Sequence, residues 1–152
     1  MKDIPPIEGL IPHRGSMLLL GRVRAFEERW AVGECFPESG AWYADESGNM
    51  PAWIGIELMA QTAAAHVTLA RRMEGLAPKM GVLLGTRAYR SEIDAFGAGI
   101  LLEIRANQLF MESDGLGAYE CSIASEGRIR ARAILKVFEP GNVELFLQGY
   151  IS

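Results

Sequence analysis

Alternation of apolar and polar positions dominates most of the chain. From Arg29 to Phe36, Trp30, Val32 and Phe36 fall on one side and Ala31, Gly33 and Cys35 on the other, the period of a strand. Met17 to Glu27, which opens on the apolar run Met17-Leu18-Leu19-Leu20, reads as the strand before it, joined by a hairpin turn at Glu27-Glu28-Arg29. Four more strands are predicted at Met80 to Ser91, Gly99 to Glu112, Leu116 to Ser125 and Arg128 to Phe138. Their separators are turn-like: Asp94-Ala95-Phe96-Gly97, Ser113-Asp114-Gly115 and Glu126-Gly127. In the last strand Arg128, Arg130 and Arg132 alternate with Ile129, Ala131 and Ala133, which predicts a ladder of cations on one half-exposed face.

One segment breaks this period. Pro51 to Met73 is the only long helix predicted, and it is apolar or small on every side. Pro51 suits the first helical position, Asn49 can cap nearby, and Arg71 and Arg72 suit the last turn before Gly75 and Pro78. A helix that is apolar all round is buried on most of its surface. The order of two strands, one buried helix and four strands predicts an α+β domain, with a six-stranded antiparallel sheet wrapped round a central helix. Residues 37–50 read as a loop, in which Trp42-Tyr43 either pins the loop to the body or forms a lid over a pocket. Residues 1–8 read as an extended lead because Pro5-Pro6 forbids a helix, with one short helical turn between Ile7 and His13. Residues 139–152 read as a tail apolar enough to dock on the body or on a partner.

Composition narrows the function. A chain of 152 residues makes a single domain, 1–152. A net charge of −4 without a basic block argues against nucleic-acid binding. Cys35 and Cys121 stand far apart with no His at metal-ligand spacing, so neither a zinc site nor a disulfide framework is expected. Two reduced thiols, a polar N-terminus unlike a signal peptide and the lack of a membrane-spanning run together predict a cytoplasmic protein. No cofactor motif is present: GVLLGT at Gly81 lacks the lysine of a phosphate loop, and no Gly-x-Ser-x-Gly elbow occurs.

Glu57 is the chemical outlier, the only carboxylate between Pro51 and Ala70, with no Lys or Arg beside it. A carboxylate stripped of water becomes protonated, finds donors, or does both. A protonated Glu could serve as a general acid; an exposed or internally hydrogen-bonded Glu is the plain alternative. Gln61, four residues on, shares its helical face and can orient it or a substrate oxygen. His66 lies about 180° round the helix from Glu57 and is expected to be a buried, satisfied histidine. His13, in IPHRGSM, is either a base or an order-giving hydrogen-bond partner, and Arg14 either an anion contact or a structural bond. Trp53 and Met59 are either pocket lining or ordinary core.

Two of these segments resemble one family. IEGLIPHRGSMLLLGRV is similar to the opening of the β-hydroxyacyl-acyl-carrier-protein dehydratases, and MPAWIGIELMAQTAA to their central helix. The resemblance covers roughly residues 7–138 and implies a hot-dog fold, with Glu57 on the family's catalytic acid and Gln61 on the Gln that follows it. The family's His-Phe-Pro-Gly is here Cys35-Phe36-Pro37-Glu38, and the helix-opening Gly is Ala52. Such proteins are dimers whose sites take His from one chain and acid from the other. The resemblance, which extends to the dehydratase-like proteins of polyene-type pigment pathways, therefore implies three alternatives. His13 has become the base of a complete dehydratase acting on acyl-carrier-protein or coenzyme A thioesters, as a homodimer. Or the chain lends Glu57 to a heterodimer with another hot-dog dehydratase, as a half-site or non-catalytic subunit. Or the fold hosts an acyl thioesterase. The first makes the chain a lyase of fatty-acid or polyene biosynthesis that forms trans-2-enoyl thioesters. His13 and Glu57 are then catalytic, and Gln61, Trp53, Ala52, Cys35 and Phe36 contact substrate. Backbone N–H groups at the start of the helix would hold the enolate oxygen, and neither metal nor cofactor is needed.

Overall fold

The computed structural model describes residues 3–77 and 82–139. Six strands form one antiparallel sheet in the order β1-β2-β6-β7-β8-β4. They are β1 (Arg22–Glu27), β2 (Trp30–Cys35), β4 (Val82–Ser91), β6 (Leu102–Met111), β7 (Leu116–Ser125) and β8 (Arg128–Phe138). Two short strands, β3 (Met50–Pro51) and β5 (Ala95–Phe96), pair separately. The helix α1 (Gly55–Met73) packs against the sheet, as its all-round apolar character requires. Leu58, Met59 and Leu69 of α1 meet Leu102, Ile104, Tyr119, Ile123 and Leu135 of the strands in one core. Gly55 permits this closeness at the start of α1. A Cβ there would come within 2.5 Å of the Tyr89 hydroxyl and 2.9 Å of Ile123 Cδ1.

Three expected boundaries shift by three residues or more, each for a nonlocal reason. The first strand begins at Arg22 instead of Met17, and Gly15–Met17 form a 3-10 turn. The Leu19 and Leu20 N–H groups are taken by the Gln61 side chain, which leaves that stretch no sheet partner to seek. The helix begins at Gly55 instead of Pro51. Pro51 pairs with Ala95, the Ala52 N–H donates to the Asp94 carbonyl, and Ala52–Ile54 make a 3-10 turn. Asn49 does not cap the helix; its Oδ1 accepts from the Ala98 N–H at 3.1 Å. The sixth strand begins at Leu102 instead of Gly99, because the Gly99 N–H bonds to the Pro37 carbonyl.

The short turn expected near Ile7 is a 3-10 turn at Ile7–Gly9. Loop 37–50 is fastened to the body. The Trp42 indole donates to the Ser16 carbonyl at 2.8 Å and Tyr43 is buried in the core, while the Tyr43 hydroxyl closes the loop on itself by accepting the Glu38 N–H at 2.9 Å. The cations of β8 lie on its more exposed face, opposite the buried Ala131 and Ala133, as expected. Arg132 is exposed, Arg128 pairs with Glu92 at 3.2 Å, and Arg130 donates to Ser125 Oγ. The expected docking of the tail lies outside the described residues from 140 onward. No described helix is long and apolar enough to cross a membrane.

Candidate active site

His13 is delivered by the segment that follows the 3-10 turn at Ile7–Gly9. Ile7, Leu10 and Ile11 anchor that segment in the core. Arg14 staples it from within, donating to the carbonyls of Glu8 (2.6 Å), Ile11 (2.8 Å) and His13 (2.6 Å). Of the two roles open to Arg14, the structural bond is the one observed. The staple fixes the backbone on which the imidazole rides.

Glu57 sits in the first turn of α1, and Gln61 one turn later on the same face. Gln61 is fully buried. Its Oε1 accepts the N–H groups of Leu19 (3.1 Å) and Leu20 (3.0 Å), which sets which way the amide faces. Its Nε2 then donates to the Met17 carbonyl (2.8 Å) and to Glu57 Oε1 (3.0 Å). His13 Nε2 lies 3.4 Å from the same Oε1. The histidine and carboxylate side chains are 28% and 36% exposed, so both can meet a ligand. His13 Nδ1 is buried without a hydrogen-bond partner, and Glu57 Oε2 has none among the described residues.

The pair faces a cleft of about 130 Å³, whose walls include Ala60, Ala64, Val67 and Val137. Small side chains on α1 leave room there beside a polar end. An imidazole, a carboxyl group and an apolar slot together suit acid–base chemistry on a molecule with a hydrocarbon part. No group of three His, Cys, Asp or Glu among the described residues could hold a metal ion.

The remaining sequence candidates lie elsewhere. Trp53 is 63% exposed, and neither it nor Ala52 lines the cleft. The Ala52 N–H, at the predicted start of the helix, is engaged by the Asp94 carbonyl, and the Ala52 carbonyl accepts the Tyr89 hydroxyl. Cys35 is buried at the end of β2, and burial pushes its thiol up to about 12. Phe36 is exposed beside a separate groove that Leu18, Trp42 and Tyr43 also line. Met59 is wholly buried core. His66 is buried as expected, with Nδ1 2.7 Å from the Tyr119 hydroxyl and Nε2 2.9 Å from the Glu28 carbonyl. Cys121 is buried like Cys35, and both cysteines are free. Sequence reasoning passed over Val67, Val137 and Glu139, which also line the cleft. Val67 and Val137 carry only the signal of ordinary core residues, and Glu139 that of a strand end.

Comparison with known proteins agrees with this architecture. A family model described as ApeP dehydratase, ApeP-like, matches residues 5–148. The dehydratase heterocomplex ApeI:P from Xenorhabdus doucetiae contains a chain 26% identical to this one. That alignment covers 96% of this chain and 98% of the other, with a TM-score of 0.87. A hypothetical thioesterase bound to coenzyme A, from Streptococcus pneumoniae TIGR4, is 15% identical over 80% of this chain and 86% of its own, with a TM-score of 0.64. The PaaI protein of the E. coli phenylacetic acid degradation operon is 16% identical over 77% and 81%, with a TM-score of 0.59. At those identities the last two share the fold alone, which is the hot-dog fold. No curated protein sequence matched. With the family model spanning nearly its whole length, the chain belongs to the ApeP-like dehydratase family.

Proposed function

We propose that the chain dehydrates 3-hydroxyacyl thioesters to trans-2-enoyl thioesters, with His13 as base and Glu57 as acid. The observation that carries this reading is the 3.4 Å approach of His13 Nε2 to Glu57 Oε1 at the mouth of a slot lined by small residues. Nε2 takes the proton from C2 of the substrate, and the electron pair moves onto the thioester oxygen. The first turn of α1 presents the positive end of the helix to that oxygen. The pair then returns to form the C2–C3 double bond as the C3–O bond breaks. Oε2 of a protonated Glu57 gives its proton to the departing hydroxyl, which leaves as water. The imidazolium and carboxylate so formed face each other, and transfer of a proton from Nε2 to Oε1 restores the pair. Gln61 holds Glu57 through these steps. The thioester is carried by an acyl carrier protein or by coenzyme A.

The test is turnover of 3-hydroxyacyl-carrier-protein and 3-hydroxyacyl-pantetheine thioesters, followed by absorbance of the enoyl product. His13→Asn and Glu57→Gln should each lower kcat/KM by about 10²- to 10⁴-fold, the usual worth of a general acid or base. Near-wild-type turnover by either variant overturns the assignment, and release of free thiol in place of enoyl product marks a thioesterase.

A second reading has an observation of its own. Cys35 stands where the dehydratase motif carries histidine, and a thiol held near 12 is no base at neutral pH. The similar Xenorhabdus protein is a heterocomplex. On this reading the chain works as one subunit of a heteromeric dehydratase. Activity that arises only on addition of a second hot-dog dehydratase subunit would establish it.

A further inference from the structure

Beyond the cleft lies a second, half-open cavity of about 460 Å³, lined in part by Glu28, Ala70, Arg71, Gln108 and Met111. Val67 and Glu139 stand in the walls of both cavities. Glu57, Ala60, Ala64, Val67 and Arg71 follow one another at three- and four-residue steps, so they run along one face of α1. From the first to the last of them the helix rises about 21 Å. Cleft, partition and second cavity thus succeed one another along the helix.

Glu139 is held in the partition from two sides. Its N–H donates to the Gly115 carbonyl at 2.8 Å. Gly115 has φ +96°, and a Cβ there would strike the Glu139 carbonyl oxygen at 2.1 Å, so the two backbones press together as only glycine permits. The Arg71 guanidinium lies 3.5 Å from Glu139 Oε1, while its Nε donates to the Ala77 carbonyl. The Glu139 side chain is 9% exposed. A hydrocarbon chain advancing from Glu57 therefore meets a valine and then a buried ion pair.

We infer that Val67 and the Arg71-held Glu139 form a partition that sets the acyl-chain length accepted by the His13–Glu57 site. This rests on the reading of that site as one for acyl thioesters. A short chain ends within the cleft. A longer one must push Val67 and Glu139 aside to enter the second cavity, and it would part Glu139 from Arg71 without offering either charge a hydrogen bond in return.

The test uses the full chain with 3-hydroxybutanoyl, 3-hydroxyoctanoyl and 3-hydroxydodecanoyl pantetheine thioesters. Binding of the corresponding saturated thioesters is measured alongside by calorimetry. Val67→Ala should raise the dodecanoyl-to-butanoyl ratio of kcat/KM by about tenfold or more, the scale of one or two methylenes in an apolar pocket. Val67→Phe should lower the same ratio, and Glu139→Gln, which removes the charge from the barrier, should raise it; a ratio unmoved by Glu139→Gln removes Glu139 from the partition. Unfolding curves identify any variant that fails to fold, and the Val67 pair still decides the question if Glu139→Gln does. Ratios unmoved by both Val67 variants, or shifted equally at all lengths, overturn the partition while leaving the dehydratase reading intact. A length shift in binding with no turnover at any length does the reverse. No binding of any thioester overturns both.

Discussion

Gln61 can donate two hydrogen bonds and accept two, and it makes all four. Replacement by Leu removes the acceptor for two backbone N–H groups and the donor for Glu57. Each buried donor left unsatisfied costs about 1–3 kcal/mol. Gln61→Leu should therefore shift the urea midpoint sharply and also lower turnover; an unchanged midpoint would refute the anchoring role. His66 makes a second residue-scale prediction. The carbonyls of Glu27 and Glu28 only accept, so its Nε2 carries the proton and Nδ1 accepts from Tyr119. Burial holds its pKa below the ordinary 6.5, opposed in part by those two carbonyl bonds. Below about pH 6.5 the unfolded chain thus binds a proton that the folded chain refuses. Stability should fall as pH drops through that value and keep falling until the lowered folded-state value is reached. His66→Gln keeps a donor and an acceptor but cannot titrate. Denaturation at about pH 7.5 and about pH 5.5 should show a smaller acid loss in the variant; equal losses would refute it.

At the scale of elements, α1 is positioned by contacts distant in sequence, and those contacts explain which parts were legible. Its apolar faces announced a buried helix, and the isolation of Glu57 marked the residue that opens onto the cleft. The alternation of β2, β6, β7 and β8 likewise gave strands close to those observed. What the pattern could not show was a side chain replacing a strand, as Gln61 does for Leu19 and Leu20, or a carbonyl from Asp94 delaying the helix. Both depend on the folded path. The closeness of His13 to Glu57 was hidden for the same reason, since 44 positions separate them and contacts of the folded path bring them together: Ile7, Leu10 and Ile11 in the core, the Thr68 hydroxyl on the Leu10 carbonyl, and the Gln61 anchor on Met17, Leu19 and Leu20. Gly55→Ala tests the helix seat. A methyl group aimed at Tyr89 and Ile123 should cost about 1–3 kcal/mol, as overpacking does. A thermal midpoint equal to wild type would show that the seat is looser than the geometry demands.

For the whole molecule, the sheet order ends on β4, so that among the described residues one long strand has no partner along its outer edge. Leu83, Leu84 and Trp53 are exposed on or near the elements that flank it. Open edges with apolar side chains invite another chain. Light scattering on the purified protein should therefore give a mass above that of one chain. Leu84→Lys, a charge on the edge strand, should shift the population towards the monomer. A monomer in the unaltered protein at micromolar concentration would refute the association.

The saturation of Gln61 has a consequence for how the site can be watched. The amides of Leu19 and Leu20 are released only when the carboxamide lets go, and Glu57 loses its tether in the same event. Their deuterium uptake is thus a clock for the working state of the carboxylate. Slow exchange at those two positions reports a site held ready, and a variant that quickens it has loosened the site even where the global fold is untouched.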